Sequence, residues 1–305
     1  MIQSRLSAAP ISWGVCEVPG WGRLLPADRV LAEMRSVGLD STELGAPGFL
    51  PDTAEGVLEV LDRHGMGLVG GFVPLALHDP DQRAAALAQA ETAAALFESC
   101  GADRFVTAAV MDQAWSPPVP MDDRQLEYFA EGLRAVDGIC ERHGLVQTLH
   151  PHVDTVVETA QDVARVLEAS DVRWCLDTGH LAIGGVDPVQ FARDFADRVA
   201  HVHLKDVDLA VARRVADREV SLLNGVQQGL FRSLGAGDVR IDEVILELER
   251  SNYQGRYVLE QDTAITGEEP APGTGPVDDV RASVEFLRKN VTSLIPNQEI
   301  TGVVR

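Results

Sequence analysis

Apolar positions recur along this chain in two alternating rhythms. Stretches at helical spacing give way, after a glycine or an aspartate, to short runs dense in Val, Ile and Leu. Residues 31–37 carry the helical period, Gly38 stops it, and 39–44 reads as a strand. The theme repeats with a helix over 53–64, Gly65, and a strand over 67–73. An Ala-rich helix over 82–100 and Gly101 precede a strand over 104–110. A helix over 123–143 and Gly144 precede a strand over 146–150. Helix 159–169 leads to strand 172–176. Asp187 and Pro188 open a helix before strand 198–204, and helix 242–251 leads to strand 256–260. With 8–13 at the front, eight strands are predicted.

Strands that alternate with helices pair in parallel through right-handed crossovers. Eight such units predict a closed α/β barrel, a (β/α)8 TIM barrel in a single domain over residues 1–290. The competing open doubly wound sheet normally carries a Gly-rich phosphate loop after its first strand, and 11–14 has no GxGxxG. Two connections stand out as long: 209–237, and the Pro/Gly-rich 266–275. Residues 291–305 read as a polar C-terminal tail.

Composition narrows the class. The chain has 305 residues, 45% of them hydrophobic, which suffices for a large core in one domain. No apolar run approaches the roughly 18 residues of a membrane span. The start, MIQSRLSAAP, has no hydrophobic stretch of the kind a signal peptide needs. Cys16, Cys100, Cys140 and Cys175 are scattered without a CxxC, as expected of reduced thiols in a cytoplasmic protein. The net charge of −21 repels a phosphate backbone, and the basic residues of 281–289 read as one solvated helix face, so neither nucleic acid nor membrane is expected as a partner. A symmetric homo-oligomer is the default assembly for such a chain.

Polar residues collect where the predicted strands end, the place where barrel enzymes build their sites. These ends read Thr148-Leu-His150-Pro-His152, Asp177-Thr-Gly-His180, His201-Val-His203-Leu-Lys205-Asp206 and Glu260-Gln-Asp262, with Glu43 at the end of the second strand. Residues i and i+2 share a strand face, so Thr148, His150 and His152 can point inward together, as can His201, His203 and Lys205. Five of the eight histidines lie in this set, and the bland alternatives would need several coincidences at one end of one barrel. Taken singly, Asp177 could be a helix cap, His203 a core histidine, Glu260 a surface carboxylate and Lys205 a solvated amine. His201 lies deeper and favours a structural role. Trp13 and Phe72 could be either core or substrate walls. A mixed nitrogen and carboxylate set suits Mn²⁺, Co²⁺, Fe²⁺ or Zn²⁺.

The stretches CLDTGHLAIGGVDP at 175–188, HVHLKDVD at 201–208, LGAGDVRIDEV at 234–244 and YVLEQD at 257–262 resemble the xylose-isomerase-like sugar isomerase/epimerase superfamily. The resemblance covers nearly all of residues 6–290. APISWG at 9–14, STELGAPGFLP at 41–51 and HPHVDTVVE at 150–158 look most like its inosose dehydratase branch, which converts 2-keto-myo-inositol to a diketone by loss of water.

The resemblance implies metal ligands at Asp177, His203 and Glu260. The fourth is a glutamate in the family, expected two residues before His150, where this chain has Thr148. His150 or His152 shares that face, and His152 is the expected replacement. The implied cofactor is a divalent metal, Mn²⁺ or Co²⁺, stabilising the enediolate of a keto-cyclitol or keto-sugar. His150 or His180 would be acid or base, and Lys205 would polarise an oxygen or assist the leaving group. Glu43 would hold substrate hydroxyls, with Trp13 and Phe72 walling the ring. The runner-up activity is a keto-sugar isomerase or epimerase, followed by elimination on a keto-glycoside. A non-catalytic sugar-binding barrel is the alternative of another class.

Overall fold

The strand–helix alternation folds as the apolar rhythm predicts, with differences where proline or a change of strand partner intervenes. The computed structural model describes residues 2–291. The tail expected over 291–305 lies outside the described residues except for its first position. The first strand, β1 (Leu6–Ala8), is shorter and earlier than the expected 8–13. Pro10 has no N–H to donate to a neighbouring strand. Residues Pro10–Trp13 therefore turn as a 3-10 helix, closed by Gly14 at φ +81°.

Helix α1 (Ala27–Ser36) leads to β2 (Ser41–Thr42), and α2 (Ala54–His64) leads to β3 (Gly67–Leu68) and β4 (Gly70–Leu75). Next come α3 (Pro80–Ser99), β5 (Arg104–Ala109), α4 (Asp123–Arg142), β6 (Val146–His150), α5 (Ala160–Ala169) and β7 (Trp174–Asp177). Helices α6 (Thr178–Ile183) and α7 (Pro188–Asp194) precede β8 (Val199–Leu204). The long connection holds β9 (Asp206–Val207), α8 (Leu209–Ala216), α9 (Leu222–Gln227) and β10 (Phe231–Arg232). The chain continues with α10 (Ile241–Arg250), β11 (Tyr257–Leu259) and α11 (Pro276–Phe286).

The main sheet runs β3-β2-β1-β11-β8-β7-β6-β5-β4, and its strands pair in parallel. Its two terminal strands, β3 and β4, are separated in the chain only by Val69. Leu68 pairs with Thr42 on one side and Gly70 with Arg104 on the other, so one continuous run changes partner and closes the barrel. Gly70 permits the change: a Cβ there would lie 2.2 Å from the Arg104 carbonyl oxygen.

Helix starts follow the local signals. Asp122 and Gln125 form a capping box on α4, and Thr159 and Asp162 form another on α5. The Ala-rich α3 buries Ala86, Ala90 and Ala94, and sets Phe97 edge-on to Phe105 at 5.8 Å. Truncating a buried phenylalanine of this kind costs about 3–5 kcal/mol. The four cysteines are buried and free. No helix among the described residues is long and apolar enough to cross a membrane.

The connection after β8 is held by Asp206, a buried carboxylate that accepts from the N–H groups of Val207, Gly235, Gly237 and Val239. With the antiparallel pair β9–β10, it sets Phe231 and Trp21 in a second apolar cluster.

Candidate active site

Four strand ends converge on one point. β6 stops at His150 because Pro151 follows. β7 stops at Asp177, whose Oδ1 caps α6 by accepting the His180 N–H at 2.7 Å. The cap leaves Oδ2 facing inward. It lies 3.3 Å from His150 Nε2 and 3.7 Å from His203 Nδ1. His150 Nε2 and His203 Nδ1 are 3.1 Å apart, and Glu260 Oε2, just past β11, is 2.5 Å from His203 Nδ1. One atom from each of the four residues lies within 4.8 Å of the others.

Glu43 decides how His203 presents itself. Its Oε1 accepts from His203 Nε2 at 3.0 Å and from His201 Nε2 at 2.8 Å. A carboxylate only accepts, so His203 Nε2 carries a proton toward Glu43 and its Nδ1 faces Asp177 and Glu260. Burial opposes charge on His203, yet Cys175, Glu260 and Glu43 raise it well above its ordinary value. Burial opposes charge on Glu43, yet His203 and His201 hold it well below the usual carboxylate range. Glu260 Oε2 is buried and accepts no hydrogen bond. Two carboxylate oxygens and two imidazole nitrogens thus converge within 4.8 Å of one another. This donor set fits a divalent cation such as Mn²⁺ or Co²⁺.

A second group rims this cluster. Lys205 Nζ bonds Asp262 Oδ1 at 2.8 Å, and lies 3.6 Å from Asp177 Oδ2 and 3.5 Å from Glu260 Oε2. Burial would lower Lys205, but Asp262, Glu260 and Asp177 keep it charged, with its pKa raised. Its Nζ is also 3.2 Å from His180 Nε2. The Val153 N–H meets His180 Nδ1 at 3.3 Å, which places the His180 proton on Nε2, beside the lysine. His152 donates from Nδ1 to the Val153 carbonyl at 2.5 Å, leaving Nε2 bare. The two rings lie 3.9 Å apart. Burial, then His150 and Lys205, depress His152 to about 3, and burial with His152 and Lys205 holds His180 well below its ordinary value. Both rings are neutral near pH 7.

The expected residues are largely brought together, with three corrections. It is His150, rather than the expected His152, that lies within 4.8 Å of Asp177, His203 and Glu260. β6 ends at His150, so the period-two face does not reach His152. Thr148 leaves no gap, because it sits one step deeper and bonds the Phe105 carbonyl. Glu43 is spent on the two histidines rather than open to substrate. Trp13 is fully buried, its indole N–H bonded to Glu33 Oε2 at 2.9 Å, and belongs to the core. Phe72 stands edge-on to His150 and His152 at 5.7 and 5.8 Å, at the site.

Sequence reading missed Trp115. It stacks on Phe72 at 6.1 Å and meets His152 at 5.9 Å. Its φ of +56° is unusual for so bulky a residue, and Asp112 braces the turn by accepting the N–H groups of Ala114 and Ser116. An aromatic residue before two prolines in a strand-end loop was its only signal.

Comparison with known proteins agrees with the fold. The family described as xylose isomerase-like TIM barrel matches residues 31–290. The chain is 29% identical over 275 residues to inosose dehydratase of Geobacillus kaustophilus, covering 86% of this chain and 89% of that protein. It is 30% identical over 272 residues to the rhizopine catabolism protein MocC of Rhizobium meliloti, covering 85% of this chain and 82% of that protein. Its fold is similar to that of 3-keto-D-glucoside 4-epimerase from E. coli, with a TM-score of 0.63 at 18% identity over 93% of this chain and 98% of that one.

Proposed function

The chain belongs to the xylose isomerase-like TIM barrel family, and we propose that it is a metal-dependent carbon–oxygen lyase that dehydrates a keto-cyclitol such as 2-keto-myo-inositol. The observation that carries the reading is the pair of neutral imidazoles, His152 and His180, beside a charged lysine and next to the four-residue cation seat. Similarity to proteins named inosose dehydratase over most of the chain supports it.

A divalent cation held by His150, Asp177, His203 and Glu260 would supply Lewis acidity to the substrate's ketone oxygen. The protein's own groups do the rest. The bare Nε2 of His152 accepts the proton on the carbon next to the ketone. His180 Nε2–H and Lys205 Nζ are two donors with no acceptor between them, so they take up the hydroxyl leaving the next carbon. One proton and one hydroxide depart, and the sum is one water. Asp262 holds Lys205 in place and keeps it charged. Phe72 and Trp115 present a flat apolar wall to the C–H face of a ring and exclude water.

An epimerase reading needs a second group to return the proton on the opposite face. Thr148 stands where the family has a glutamate, and a hydroxyl cannot serve as that second base, which favours elimination. The test is mass-resolved turnover of 2-keto-myo-inositol by metal-stripped protein, with and without Mn²⁺ or Co²⁺. A metal-dependent product lighter by one water is expected. An unchanged mass with an inverted stereocentre makes the protein an epimerase, and tight binding without any product makes it a sugar-binding barrel.

A further inference from the structure

The opposite end of the barrel carries a second polar cavity, of about 210 Å³, that the reaction above does not use. Arg5 precedes β1, Arg104 opens β5 and Arg256 precedes β11, so three guanidinium groups gather where the strands begin. Asp103, Val69, Gln254, Gly255 and His201 complete the part of the wall that matters here.

The arginines are anchored without being used up. Arg256 donates from Nη1 to Ser41 Oγ at 2.9 Å and pairs with Asp40 at 3.5 Å. Arg104 donates from Nε to the Ala200 carbonyl at 2.8 Å and pairs with Asp103. Arg5 pairs with Glu249 and donates to the Tyr253 carbonyl at 2.6 Å. A guanidinium offers five N–H donors, so each keeps some for a ligand. Each arginine also faces a carboxylate, Glu249, Asp103 or Asp40, so the mouth offers unused N–H donors rather than an excess of positive charge.

The floor of the cavity supplies the second observation. His201 is fully buried, and its Nδ1 has no hydrogen-bond partner. Its Nε2–H is given to Glu43, so Nδ1 carries a lone pair that needs a donor. Leaving such a buried atom unsatisfied is unfavourable. A ligand that completes this cavity brings oxyanion oxygens for the arginines and an O–H for the histidine.

We propose that this cavity is a binding site for a small oxyanion bearing a hydroxyl, of the hydrogen phosphate type, at the end of the barrel opposite the reaction. Arginine forks match the spacing of phosphate oxygens, and the P–OH proton meets His201 Nδ1. The inference does not depend on which reaction the other end performs.

The test is calorimetric titration of the metal-loaded protein with inorganic phosphate at neutral pH. Saturable binding is expected in the millimolar range or tighter, weakened about ten-fold or more in Arg256→Gln and less in Arg256→Lys, which keeps the charge but not the fork. Asp177→Asn, at the other end, is expected to leave phosphate affinity unchanged. Arg256 is 39% exposed, so both its variants are expected to fold, and thermal unfolding checks this. Absence of saturable binding by the parent protein overturns the proposal. Equal binding by Arg256→Gln, or loss of binding in Asp177→Asn only, also overturns it.

Discussion

The two ends of this barrel collect opposite chemistry. Where the strands finish, metal-ligating groups converge: two carboxylate oxygens and two imidazole nitrogens, largely buried. Where the strands begin, donors converge: three arginines, each half-committed to a backbone carbonyl, a hydroxyl or a carboxylate. One strand serves both ends. Alternation along β8 sends His201, His203 and Lys205 to the same interior face at increasing depth toward the mouth. His201 belongs to the arginine end, His203 to the cation seat and Lys205 to its rim. The charged groups where the strands finish are buried, which strengthens every charge interaction among them. The other end opens to solvent and is screened.

The sharpest way to break this contrast is to remove one acceptor. Asp177→Asn is expected to lower kcat/KM by about a thousand-fold and to abolish tight metal binding, read by turnover and by Mn²⁺ titration. Retained turnover would remove the metal from the reaction. Next, His152→Gln is expected to lower kcat by about a hundred-fold with metal affinity intact, while His150→Gln loses metal affinity first. The reverse pattern would restore His152 to the ligand seat. Glu43→Gln is expected to weaken metal binding by about 10–100-fold, because the tautomer of His203 is then no longer enforced.

The smallest effect belongs to a half-buried carboxylate at neither end. Burial, with Glu141 nearby, raises Asp137 on α4 to about 6, against the pull of Arg173. The unfolded chain releases that proton near the ordinary pKa of about 3.9, so between the two values the folded state holds more protons. Stability therefore falls as pH rises through about 6. After solvent screening the loss is on the order of 1 kcal/mol. The difference in denaturant midpoint between the parent and Asp137→Asn is expected to grow, in favour of the variant, from pH 4 to pH 7.

The sequence showed the barrel and most of its site because both follow short periods. The H-x-H-x-K run of β8 states its own inward face, and Asp177 and Glu260 end their strands as the apolar rhythm predicts. Period two fails where the strand stops. Pro151 ends β6 at His150, and this exchanged the roles of His150 and His152. Pro10 likewise turned the expected first strand into a 3-10 helix and carried Trp13 into the core. Glu43 was legible as a polar strand end, but its bonds span 158 and 160 residues, a separation no local pattern encodes. Trp115 lies in a loop held by Asp112, where no periodicity exists to read. The arginine cavity draws on residues near both termini and has no local signature.

The bond between Glu43 and His203 also sets an order in time. The histidine is synthesised 160 residues after the carboxylate that fixes its proton, and Glu260 comes later still. Contacts of such separation form late, after the closure entropy of the intervening chain has been overcome. A nascent chain that ends before β11 therefore holds His150, Asp177 and His203 without their fourth companion. Only when Tyr257–Leu259 slides between β1 and β8 does the ring close and the seat become whole. A cation seat built from these four residues is thus complete only in a chain that has already closed on itself.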